Sequence, residues 1–177
     1  IAEVFVGQFN GAQQFNNVLV QNDSTISFSV TSQAEANAAK IYPDSLLQYI
    51  RGFGAANIIG WRADMTSSEI ETAFGTGDGQ LGFSILRLRV APDSNQWSVN
   101  VSSAKKAYDK GVLIFASPWT PPASMKTNNN TVGGELKESS YADYAKYLNN
   151  FSKYMTRNGV PLYAVSLQNE PDITVTY

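Results

Sequence analysis

The sequence predicts an α/β fold: the first half, about four βα steps, of a (β/α)8 barrel, preceded by β-strands of a side domain. Three observations carry this. Between residues 50 and 171, four short apolar runs alternate with three segments of helical character, the order that builds a parallel sheet or barrel. The run Val112-Leu113-Ile114-Phe115-Ala116 is apolar without a break, as in a parallel strand covered on both faces. Four steps without a fourth helix amount to roughly half of a barrel, which takes about 250 residues.

The elements follow in order. Glu3-Val4-Phe5-Val6 and Val18-Leu19-Val20 read as strands, and so do Ile26, Phe28 and Val30 alternating with Thr25, Ser27 and Ser29, the period of a half-buried strand. Asn22-Asp23 is placed as a turn, and the polar, alanine-rich stretch from Ser32 to Lys40 as a boundary or short helix. Residues 1–40 are therefore expected to be a β-rich extension and 41–177 the half-barrel. Gly52-Phe53-Gly54 opens the first barrel strand. Thr66-Ser67-Ser68-Glu69 has the form of a capping box, with Met65 and Ile70 at staple positions. The helix it starts is expected to reach about Phe74 and close at Gly75.

The second strand is Phe83-Ser84-Ile85-Leu86-Arg87-Leu88-Arg89-Val90. A helix from about Ser102 should turn Ala104, Ala107 and Tyr108 inward and stop at Gly111. In the last helix Tyr141, Tyr144, Leu148, Phe151 and Met155 recur at alternating spacings of three and four, the stripe of a core-facing helix. Ser140 and Asp143 are expected to cap its start and Gly159 to end it. Leu162-Tyr163-Ala164-Val165-Ser166-Leu167-Gln168 is the fourth strand. The glycine-rich Gly75-Thr76-Gly77-Asp78-Gly79 follows a helix and precedes a strand, the reverse of the order a phosphate-cradling loop needs, so it reads as a turn.

Composition narrows the chemistry. The 177 residues are 43% hydrophobic and 16% charged, with a net charge of −2. No basic stripe stands ready to neutralise a nucleic-acid backbone, and no apolar run is long enough to span a membrane. Nine Phe, nine Tyr and three Trp with so few charges suit a protein that stacks on neutral polar ligands. Cysteine and histidine are both absent. That removes thiol chemistry, the Ser-His-Asp triad and the usual zinc ligands. Acid–base chemistry must then rest on carboxylates, or on Lys or Tyr; no cofactor and no metal are called for.

Strand ends in a barrel converge on one face, where barrel enzymes place their chemistry. Asn57 and Trp61 follow the first strand, Arg87 and Arg89 lie on the second, Trp119 follows the third, and Asn169-Glu170-Pro171 ends the fourth. A tryptophan offers a flat apolar face to a sugar ring, and Asn and Glu bind hydroxyls. The bland readings are a surface carboxylate for Glu170, a strand-end hydrogen bonder for Asn169 and loop packing for Trp119 and Trp61. Two arginines on one face of an apolar strand are costly to bury without carboxylates, so at least one is expected to point at an acid.

Five collinear blocks over about residues 41–177 resemble glycoside hydrolase family 30, in particular its bacterial glucuronoxylanase and xylanase members. They are Arg51-Gly52-Phe53-Gly54, Gly79-Gln80-Leu81-Gly82-Phe83-Ser84-Ile85-Leu86-Arg87, Ala116-Ser117-Pro118-Trp119-Thr120-Pro121-Pro122, Phe151-Ser152-Lys153-Tyr154-Met155 and Tyr163-Ala164-Val165-Ser166-Leu167-Gln168-Asn169-Glu170-Pro171-Asp172. The resemblance implies retaining hydrolysis of β-glycosidic bonds in a (β/α)8 barrel with an attached β-sandwich. It makes Glu170 the general acid/base and Asn169 the residue that holds the sugar 2-hydroxyl. Trp119 and Trp61 would line the sugar subsite, with Asn57 nearby, and Arg87 would support the nucleophile. That nucleophile, a glutamate ending strand seven, is expected beyond Tyr177, so this chain alone should be inactive.

The implied substrate is a polysaccharide or oligosaccharide, most specifically (glucurono)xylan, and the implied state is a secreted monomer without nucleic-acid partners. Two alternatives stay open: a glucosylceramidase-like enzyme of the same family, and a carbohydrate-binding protein without turnover. Sequons at Asn22, Asn100, Asn129 and Asn150 matter only in a host that glycosylates secreted chains.

Overall fold

The computed structural model describes residues 18–20, 26–28, 42 and 44–172, in two units, 1–48 and 49–177. In the first, β1 (Val18–Val20) and β2 (Ile26–Phe28) pair antiparallel with Val18 opposite Phe28. The expected strand at 3–6, the turn at 22–23 and the boundary at 32–40 lie outside the described residues.

The second unit is a parallel four-stranded sheet in sequential order: β3 (Gly54–Asn57), β4 (Ile85–Val90), β5 (Leu113–Pro118) and β6 (Ala164–Val165). Three helices connect the strands: α1 (Ser67–Phe74), α2 (Val101–Asp109) and α3 (Tyr141–Arg157). β4 decides the layering. Leu86, Leu88 and Val90 are buried and pack with Ile114, Ala116, Ile70, Phe74, Ala104, Ala107, Phe151 and Met155 in one core. Arg87 and Arg89 alternate to the opposite face, which in a closed barrel is the interior. Each large apolar side chain fully buried in that core contributes about 1.5–3 kcal/mol.

Helix α1 starts as expected. The Thr66 hydroxyl accepts from the Glu69 amide, and the Glu69 carboxylate accepts from the Thr66 amide at 2.7 Å. The 75–79 segment is a turn held by the side chain that follows it, with the Gly77 amide donating to Gln80 Oε1.

Four expectations are corrected. Tyr108 is 39% exposed, because the buried stripe of α2 is made of the small residues Ser103, Ala104 and Ala107, and Tyr108 lies about 100° round the helix from Ala107. Tyr141 is 57% exposed; it is the first residue of α3, and burial begins one turn later at Tyr144. Ser140 makes no capping bond, since the chain enters α3 through a 3-10 turn (Glu138–Ser140) and its ψ of 0° is not the extended value a cap needs. The fourth strand is regular over two residues only. Its backbone bonds to β5 nevertheless run on, from Tyr163 through Ser166 to Asn169.

Trp97, unremarked in the sequence, gathers Tyr147, Phe151 and Tyr154 around its ring at 5.1–5.7 Å. Tyr147 donates to the Ala91 carbonyl and Tyr144 to the Leu167 carbonyl. Burial raises both phenol pKa values, that of Tyr147 to about 12. The folded state therefore holds these protons more tightly than the unfolded chain, whose tyrosines titrate near about 10. Stability from this pair is complete below that value and falls as pH rises toward 12. Chemical denaturation between pH 9 and pH 12 should show a falling unfolding free energy, and Tyr147→Phe should flatten part of the slope.

Candidate active site

Parallel pairing sets every βα loop at the same end of the sheet. Arg87 pairs in register with Phe115, and Arg89 with Ser117, so Arg87, Arg89 and Ser117 share the face away from the helices. From there Arg87 reaches across the strand ends. Its Nε donates to Ser117 Oγ at 3.2 Å, an Nη donates to Asn169 Oδ1, and its guanidinium lies 4.6 Å from the Trp119 ring centroid.

Asn169 is fixed from both sides. Its amide N–H donates to the Pro118 carbonyl, and its Oδ1 is taken by Arg87. Flipping the side-chain amide would set N–H groups against the guanidinium, so Nδ2 must face the other way, where it lies 3.3 Å from Glu170 Oε2. Glu170 is exposed and has a φ of +44°, a left-handed conformation that costs a non-glycine residue on the order of 1–3 kcal/mol. Strain of this kind is concentrated at functional sites.

The two tryptophans differ. Trp119 is 6% exposed: Arg87 lies over it and Trp61 meets it edge-on at 5.5 Å and 78°. Trp61 is 66% exposed and presents the open aromatic surface of the group. Gln168 Nε2 holds the Trp119 carbonyl at 2.7 Å, which fastens the β5 loop to the end of β6. Behind Trp119, a cleft of 540 Å³ runs between Pro121, Leu136, Tyr144, Leu148 and Leu167; Glu170, Arg87 and Asn169 do not line it.

The structure thus brings together Glu170, Asn169, Arg87, Trp119 and Trp61. Asn57 is not with them. It pairs in register with Leu88, which puts it on the helix side of the sheet, and its fully buried amide donates to Asp64 at 2.7 Å and Ser103 at 3.1 Å. Among the described residues neither of the two arginines meets an acid. Arg87 has Ser117, Asn169 and Trp119; Arg89 donates to the Ile59 carbonyl at 3.0 Å, its Nε has no partner, and burial lowers its guanidinium pKa. Ser117 and Gln168, which hold the group together, carry no signal in the sequence beyond their place in strand ends. Among the described residues no three carboxylates gather as a metal site would require.

Comparison with known proteins agrees with this architecture. The glycosyl hydrolase family 30 TIM-barrel domain matches residues 22–176. A glucuronoxylanase of Bacillus subtilis is 46% identical over 147 residues, covering 81% of this chain and 35% of its own. The crystal structure of a family 30 subfamily 8 xylanase from Clostridium acetobutylicum superposes with a TM-score of 0.66 at 48% identity, over 73% of this chain and 35% of that one. Lysosomal acid glucosylceramidase of Mus musculus is 32% identical over 80 residues, 40% of this chain and 15% of its own. The chain spans about a third of the length of the xylanases it matches. The parallel sheet, the collinear strand ends and these matches agree: the chain belongs to glycosyl hydrolase family 30 and carries part of its TIM-barrel domain.

Proposed function

We propose that this chain is the acid/base half of a retaining, secreted β-glycosidase that acts on xylan. The observation that carries the reading is the Arg87–Asn169–Glu170 relay, a carboxylate held at a strand end beside an oriented amide and an exposed tryptophan. Retaining hydrolysis needs two carboxyl groups about 5–5.5 Å apart. Glu170 protonates the departing glycosidic oxygen, and a second carboxylate, supplied by sequence beyond residue 177, attacks the anomeric carbon. Once the covalent intermediate forms, Glu170 takes a proton from the water that opens it. Asn169 Nδ2 carries a second N–H for the hydroxyl next to the anomeric carbon, and Trp61 stacks on a sugar ring. The xylanase relatives, at 46% and 48% identity, favour xylan over a glucosylceramide.

The test joins this chain to the remaining two-thirds of the Bacillus subtilis glucuronoxylanase. The chain alone should release no reducing sugar from glucuronoxylan, and the fused barrel should. Xylan hydrolysis by the chain alone would remove the need for a second half. A folded fusion that binds xylo-oligosaccharides without cleaving them would make the protein a binder, and one that cleaves only β-glucosides would move the substrate.

A further inference from the structure

We propose that Asp64 is a positioning residue for the sugar-stacking Trp61, acting as the fixed end of the loop at 58–64. Three neutral donors converge on one of its oxygens: Asn57 Nδ2 at 2.7 Å, Asn100 Nδ2 at 2.7 Å and Ser103 Oγ at 2.6 Å. They come from the tip of β3 and the start of α2, and all three are at most 5% exposed. Such an arrangement needs an acceptor oxygen at its centre, because removing that acceptor strands buried donors. No cation pairs with Asp64 among the described residues, so the carboxylate is given over to these neutral groups.

The position of Asp64 matters because of what hangs from it. The loop has a second anchor at Ile59, whose carbonyl takes the Arg89 guanidinium, and Ile59 also bridges to Arg62. The space below is tight: a Cβ on Gly60 would come within 2.8 Å of Arg89. Trp61 stands between the two anchors, edge-on to Trp119, which in turn covers Arg87. A further tether, Arg62 to Glu69, is exposed at both ends and holds little in water. Asn57 thereby gains a role from the helix side of the sheet: it links β3 to the loop that presents the ring.

The indoles report directly on this. Trp97, the third tryptophan, packs on tyrosines and a phenylalanine and adds its own coupling to the far-UV circular dichroism, so Trp61→Phe sets the zero against which the Trp61–Trp119 exciton couplet is read. In this chain, Asp64→Ala should reduce the couplet to that zero while the helical signal persists, and Asp64→Asn, which keeps an oxygen in place, should restore most of it. Ser103→Ala, a milder loss of one donor, should give a partial reduction and decides the matter if Asp64→Ala does not fold. Lys105→Ala, on the exposed side of α2, should leave the couplet unchanged. A full couplet in folded Asp64→Ala, or in Ser103→Ala where the former fails to fold, overturns the proposal.

The kinetic arm rests on the xylanase reading and uses the fused barrel. There Asp64→Ala should raise KM for xylan about fivefold, the share of one aromatic contact, with kcat little changed. A fused barrel without xylan turnover counts against the substrate assignment, while the couplet still judges the clamp. An unchanged KM beside a lost couplet means that Trp61 is held but does not touch substrate, which also overturns the proposal.

Discussion

Glu170→Gln in the fused barrel is expected to slow glucuronoxylan hydrolysis by about 10²–10⁴-fold, the usual contribution of a positioned general acid. Aryl xylosides with acidic phenol leaving groups should lose far less in the glycosylation step, because their oxygen departs without a proton. Glutamine is the informative replacement here. It keeps the shape of the side chain and an oxygen for Asn169 Nδ2, so the fold and the Arg87 relay stay as they are while the transferable proton is gone. Parallel measurements of kcat/KM on polymer and on an activated aryl glycoside separate this from a packing defect, which would slow both alike. Equal loss on the two substrates, or full activity on xylan, would sink the assignment of Glu170 as the acid. Azide added to the variant provides a second reading: if a covalent intermediate forms and Glu170 is its base, azide replacing water there should restore turnover of the aryl substrate.

The parts of this fold that were legible in the sequence are those decided locally. The capping box of α1 is four consecutive residues closing on themselves, and the α3 stripe is one helix repeating its own period. The strand ends carrying Trp119, Asn169 and Glu170 were legible because proline and a change of texture mark where a strand stops. What failed depends on partners far along the chain. Asn57 follows a strand opened by Gly52 and Gly54, without the alternation that tells one face from the other, and only its pairing with Leu88 settles which side it takes. The spacing of Arg87 and Arg89 correctly put both on one face. Their partners, an amide 82 residues away and a carbonyl 30 residues back, are products of the parallel register. Tyr141 fits the helical period yet stays exposed, because a period describes a helix face and says nothing about how far the covering layer extends.

The site also depends on close backbone approach at the start of β3. A Cβ added to Gly54 would lie 1.9 Å from the Ile85 carbonyl oxygen and 2.6 Å from its carbon. Neither atom can retreat, because Ile85 is held on its other side by Leu113 of β5. Gly54→Ala is therefore expected to cost at least about 3 kcal/mol, the upper end of the usual range for overpacking, and a loss of that size is a large fraction of the stability of a small domain. Gly79 is the matched comparison: its φ of +75° strains an alanine, but nothing lies within 4 Å of the added carbon, so Gly79→Ala should cost only about 1–2 kcal/mol. Urea denaturation of the two variants should rank them in that order, and hydrogen exchange should show early loss of protection in β3 for Gly54→Ala alone. If the two unfold at the same urea concentration, steric exclusion at β3 is not what holds that strand. If Gly54→Ala is the weaker, release of β3 should also free the loop it carries, and the Trp61–Trp119 couplet should fall with it.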